Sequence, residues 1–138
     1  MKEQFVPYEL ALKLKELGFD EECLGAYNQS DNNKFMMAPQ LSSYEINTGK
    51  NSDKTDINVV TAPLWQQAFK FIRDKYNLTT TFHYRKKSDN TYVSIYEITK
   101  KEDFEELTHF SKVFYIDEYE LQTKALKKLI EIIENKVS

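Results

Sequence analysis

Four residues near the middle of the chain combine side-chain types that recognise other molecules: His83, Arg85, Tyr92 and Tyr96. Flat amphipathic rings beside donors suit a protein partner, where tyrosine and arginine often anchor the contact. The same rings could stack single-stranded bases. Lys86 and Lys87 follow Arg85 directly and add positive charge. Tyrosine is also common in strands because it fits a pleated surface. An element of the fold that covers the rings is therefore the competing reading, and the more frequent one.

The other chemistry-bearing residues point to structure. A general base needs a positioned partner and a pocket, and no acid is expected beside His83. His109 lies next to Phe110 in a segment of mixed signals. The two histidines share no local spacing that suits a metal. Cys23 is flanked by Glu21, Glu22 and Leu24, and this surrounding disfavours a thiolate, so a buried, inert thiol is expected. The pairs Glu21-Glu22 and Glu105-Glu106 read as solvated surface. The three glycines lie far apart, unlike a phosphate-cradling loop. Trp65 heads an apolar stripe and reads as core. No catalytic residue, metal site or cofactor is expected, and a hydrolase is the least favoured class.

Composition agrees with a folded domain. The chain has 138 residues, 41% of them apolar and 14% aromatic, enough for a real core. Its 19 basic and 22 acidic side chains leave a net charge of -3, which argues against charge-driven duplex binding. A single cysteine excludes an internal disulfide and any multi-cysteine zinc site. No apolar run approaches membrane-spanning length, and the N-terminal residues lack the apolar segment of a secretory signal. A reducing, cytoplasmic compartment and no membrane partner are the expectations.

The residues above must be positioned by three helices and several strands. Pro7 suits the first position of a helix. Leu10, Ala11, Leu14 and Leu17 follow its buried stripe, and Gly18 is its left-handed stop. A second helix runs from 61–63 to Tyr76 with Trp65, Ala68, Phe69, Ile72 and Tyr76 inward, ended by Asn77. A third, over 117–136, opens on a capping box of Asp117 and Glu120 with a staple of Ile116 and Leu121. Ala125, Leu126, Leu129, Ile132 and Ile133 continue its apolar face. Residues 80–86 and 91–98 alternate as strands. A four-residue loop, 87–90, would set Arg85 opposite Tyr92, Tyr84 opposite Val93, His83 opposite Ser94 and Phe82 opposite Ile95. Phe82, Tyr84, Val93 and Ile95 then share one face, and His83, Arg85, Tyr92 and Tyr96 the other. A short helix is expected within 99–110 and a last strand at 112–116. Residues 40–60 form a polar loop, with a short edge strand at 57–60.

The chain also reads as one unit used twice, over 7–38 and 63–98. Both units carry Ser-Asp-Asn at the turn, at residues 30–32 and 88–90. With loop 29–32, Leu24 pairs with Met37 and Ala26 with Phe35. These four match Phe82, Ile95, Tyr84 and Val93, all shifted by 58 positions.

Several stretches carry a resemblance: Phe5-Val6-Pro7-Tyr8-Glu9-Leu10-Ala11, Leu17-Gly18-Phe19-Asp20, Ala62-Pro63-Leu64-Trp65-Gln66-Gln67-Ala68-Phe69 and Leu126-Lys127-Lys128-Leu129-Ile130-Glu131. They resemble a group of small uncharacterised proteins from phages and mobile elements of Bacteroides-type bacteria. The resemblance implies a phage-linked cytoplasmic origin and no chemistry. The sequence thus points to one α+β domain over residues 1–138. It is expected to have a mostly antiparallel sheet of five strands with three helices on one face. The expected function is a non-enzymatic protein-binding accessory module of a phage or mobile element, acting on a protein partner or by self-association. The alternative is single-stranded nucleic-acid binding. Tyr92 and Tyr96 are expected on the open face.

Overall fold

The computed structural model describes residues 2–37, 49–53, 58–86, 92–102, 105–114 and 118–137. Among these residues the fold is α+β, with three α-helices and antiparallel sheets. The helices are α1 (Tyr8–Glu16), α2 (Trp65–Tyr76) and α3 (Glu118–Val137). The strands are β1 (Gly25–Asn28), β2 (Lys34–Met37), β3 (Val59–Ala62), β4 (Leu78–Lys86), β5 (Tyr92–Glu102) and β6 (Glu105–Phe114). Among the described residues, six strands form two three-stranded sheets, ordered β2-β1-β3 and β4-β5-β6. The single five-stranded sheet expected from the sequence is thereby corrected. The chain packs as two compact units, Met1–Ala68 and Phe69–Ser138, divided within α2.

In the first unit, α1 ends as its glycine demands. Gly18 has φ 98°, Phe19 N–H donates to the Leu14 carbonyl at 2.9 Å and Gly18 N–H to that of Lys15 at 3.0 Å. This pair of bonds is the Schellman closure. Leu10, Ala11 and Leu14 form the buried stripe of α1, which packs against β3. The N-terminal segment is pinned across the unit. Val6 N–H donates to the Pro63 carbonyl at 2.9 Å, the Tyr27 hydroxyl to the Val6 carbonyl at 2.7 Å, and the Trp65 indole N–H to the Glu3 carbonyl at 2.8 Å. Trp65 is buried, as expected for core. Phe35 lies 4.9 Å from Phe5 and 5.5 Å from Tyr27 between ring centroids, within the range of favourable aromatic pairs. Gly25 makes room for this cluster. A Cβ there would stand 2.9 Å from Phe35 Cε2 and 3.3 Å from the Met36 carbonyl oxygen.

The first hairpin is one residue longer in its loop than expected. Gly25 pairs with Met37, Ala26 with Met36, Tyr27 with Phe35 and Asn28 with Lys34. Asn28 Oδ1 accepts from Ser30 N–H at 3.0 Å and starts a 3-10 turn over Gln29–Asp31. Asn32 and Asn33 then take left-handed angles, φ 51° and 59°, a conformation asparagine tolerates. The loop therefore spans 29–33. Leu24, expected to face Met37 from the core, is 58% exposed.

In the second unit, Asn77 caps α2 at φ 58°, as expected, and β4 starts at once. Phe69 of α2 meets Phe82 of β4 edge-on, centroids 5.6 Å apart. α3 packs against β5 and buries Leu121, Ala125, Leu126, Leu129, Ile130 and Ile133. Ala125, Leu126, Leu129 and Ile133, with Ile132, are the stripe read from the sequence, and Ile130 is buried beside it. Residues 99–102 and 105–110 are strand, not helix. β5 continues to Glu102 and β6 returns from Glu105, so strand pairing overrides the local cap signal at Thr99 and Glu102. The Asp117 cap, the Ser88-Asp89-Asn90 turn and most of the 40–60 loop lie outside the described residues.

Helix-strand-strand order recurs in both halves, and the paired ends of both hairpins stay related by 58 positions. The surroundings differ. The third strand adds beside β1, the first strand of its hairpin, in one sheet and beside β5, the second strand of its hairpin, in the other.

Two substitutions test this packing. Leu129→Ala should cost about 2–5 kcal/mol, as for a fully buried leucine. Gly25→Ala should cost about 1–3 kcal/mol, because its methyl overpacks the Phe35 ring. Urea melts of both variants measure this, and unchanged midpoints would show that neither site is packed as described.

Candidate functional site

A strand alternates its faces, so directly opposed residues share one. β4 and β5 pair Leu78 with Lys100, Thr80 with Ile98, Phe82 with Tyr96, Tyr84 with Ser94 and Lys86 with Tyr92. Leu78 and Ile98 of this set are buried, and Phe82 touches α2. It is the helix-side set of positions. The alternate set pairs Thr79 with Thr99, Thr81 with Glu97, His83 with Ile95 and Arg85 with Val93. Its described members are exposed at Thr81 and half-buried at Thr79, His83 and Thr99. β6 adds Phe110, Lys112 and Phe114 to this second set, opposite Glu97, Ile95 and Val93.

The register corrects the pairing expected from the sequence by one residue. Lys86 pairs with Tyr92, so five residues rather than four separate the paired ends. His83 and Arg85 keep to one set, while Tyr92 and Tyr96 occupy positions in the set of Phe82. The four candidate residues are thus divided between two sets by the backbone. The side chains of Arg85, Tyr92, Tyr96 and His109 lie outside the described residues.

A second polar constellation lies in the first unit, where 49–53 is tied to the exit of α1. Cys23 and Gly49 exchange backbone hydrogen bonds of 2.9 and 3.1 Å. Asn51 uses both ends of its amide: Nδ2 donates to the Phe19 carbonyl at 2.9 Å, and Oδ1 accepts from Thr61 N–H at 3.0 Å. Asn51 thereby occupies a ladder donor on β3, one of the devices that close a sheet edge. Ser52 N–H donates to Asp20 Oδ1 at 2.7 Å. That bond, with the Ser52 side chain and the Lys50 charge assisting, holds the Asp20 carboxyl below its ordinary value. Cys23 is buried, and its thiol donates to the Glu21 carbonyl at 3.5 Å. The constellation fastens loop to strand. The sequence shows Asn51 and Ser52 only as part of the polar 40–60 loop, because their partners are remote in the chain.

Among the described residues, no group of three His, Cys, Asp or Glu side chains could hold a metal ion. No helix there is long and apolar enough to cross a membrane. No protein-family model, no curated protein and no solved structure matches the chain.

Asn51→Ala should cost about 1–3 kcal/mol, because it removes both the bond to the Thr61 N–H and the bond to the Phe19 carbonyl. Asp20 gives a pH signature. Its folded pKa is lowered, so its stabilising effect is complete above the ordinary carboxylate value and is lost as pH falls through the folded value. The protection of amides 49–53, taken relative to their intrinsic exchange at each pH, should therefore fall on acidification in the native protein and respond less to pH in Asp20→Asn. Identical pH profiles would remove the Asp20–Ser52 bond from the account.

Proposed function

We propose that this chain is a non-enzymatic protein-binding module, an accessory protein of a phage or mobile element acting in the cytoplasm. It engages a protein partner through the side of the β4-β5-β6 sheet marked by His83 and Arg85. The observation that supports this reading is the strand register. It gathers His83, Arg85 and Lys112 with Val93, Ile95, Phe110 and Phe114 in one alternating set of positions. Aromatic and aliphatic positions with arginine among them match the make-up of a protein interface. The phage-linked part rests on the resemblance of the 5–11, 17–20, 62–69 and 126–131 stretches. The same set, with basic and aromatic positions side by side, also suits single-stranded nucleic acid, but the net charge of -3 weakens that alternative.

Capture from a phage-infected host lysate tests the proposal. A partner should bind the native chain and be lost at least about tenfold with Arg85→Glu combined with Ile95→Lys, by the usual weight of an arginine anchor, while circular dichroism stays unchanged. Tyr92→Ala with Tyr96→Ala should instead lower stability, as loss of helix-side aromatic positions would. Equal capture by the charged variant would reject this side of the sheet. Salt-sensitive binding of single-stranded oligonucleotides would favour the nucleic-acid alternative.

A further inference from the structure

β6 is ten residues long, and among the described residues no strand pairs with its outer edge. A long edge with unpaired backbone donors and acceptors is a template for another strand. Among those residues the two sheets have four edge strands, β2, β3, β4 and β6. β3 is four uncharged residues with Asn51 bonded to its Thr61 N–H. β2 has only four residues. β4 carries Arg85 and Lys86 at one end and no acid. β6 carries Glu105 and Glu106 at its start and Lys112 near its end. Run antiparallel against itself, β6 alone sets acid against base.

We propose that β6 pairs with β6 of a second copy, so that two three-stranded sheets join into one of six strands. The axis passes through His109. The register follows from parity. A two-fold axis perpendicular to the sheet keeps the helix sides of both copies together and requires opposed residues to belong to the same alternating set. Among such registers, the one centred on His109 opposes Glu106 to Lys112 of the second copy, and Lys112 to its Glu106. Thr108 then opposes Phe110, and Leu107 opposes Ser111. Opposite charges directly across an antiparallel pair stabilise it. Within its own chain Glu106 stands opposite Lys101 and Lys112 opposite Ile95, so the new pairing sets an acid directly opposite Lys112, where β5 sets an isoleucine. This surface is the edge of the sheet, and the inference is independent of the partner side marked by His83 and Arg85.

Charge exchange tests the proposal by sedimentation equilibrium. The native chain should dimerise. Glu106→Lys and Lys112→Glu should each weaken association at least about tenfold, since like charges then face each other. A one-to-one mixture of the two variants should recover a heterodimer, because each mismatch is matched in the other chain. The double variant should also dimerise. The mixture guards against variants that fail to fold, since an unfolded chain would not be rescued by mixing. Amide exchange of β6 in the native chain should slow as its concentration rises. A native chain that stays monomeric with concentration-independent β6 exchange would overturn the proposal, as would single variants that dimerise undiminished.

Discussion

A strand has a period of two, so the residue at which β4 gives way to the loop decides what every later position of β5 and β6 faces. That single constraint governs the second unit. With Lys86 opposite Tyr92, Ile98 falls opposite Thr80 and Tyr96 opposite Phe82. Leu78, Phe82 and Ile98 can then lie on the side that the helices need. A shift by one would carry Ile98, which is fully buried, to the set of exposed Thr81. Burial of that one isoleucine and the Phe69–Phe82 contact hold the register in place.

The first unit meets a similar demand by other means. Its strands are four residues each, too short to hold a register by pairing alone. Side chains reaching the backbone supply the rest. Tyr27 holds Val6, Trp65 holds Glu3, and Asn51 holds both Phe19 and Thr61. These bonds join segments separated in sequence, and hydrogen bonds shielded from water, as the buried Tyr27–Val6 bond is, are costly to leave unmade. Gly25 matters because the aromatic cluster of Phe5, Tyr27 and Phe35 occupies the space a side chain would need.

What could be read from the sequence was whatever short-range physics decides. Gly18 and Asn77 end helices because of their own backbone freedom, and both are found with positive φ. The stripes of α1, α2 and α3 follow helical spacing, and their members Leu14, Ile72 and Leu129 are buried. The loops were harder. Four- and five-residue hairpin connections are both ordinary, and Ser-Asp-Asn fits either. In the first hairpin the choice falls to Asn33, which takes a second left-handed residue beside Asn32. Both hairpins were misjudged by the same single residue, so the shift of 58 between them survived while the partners of Leu24, His83 and Arg85 changed. The 99–110 segment was misread because Thr99 and Glu102 resemble a helix start, whereas pairing with β4 and β6 outweighs so local a signal. The candidate residues were thus correctly placed on one hairpin and incorrectly grouped on it.

The measurement closest to this account is the set of backbone proton contacts between β4 and β5 in a nuclear Overhauser spectrum. The pairing described here requires cross-strand contacts linking Tyr84 with Ser94 and Phe82 with Tyr96. Contacts linking Tyr84 with Val93 and Phe82 with Ile95 would contradict it, return Tyr92 and Tyr96 to the side of His83 and Arg85, and dismantle the division on which the proposed binding side depends.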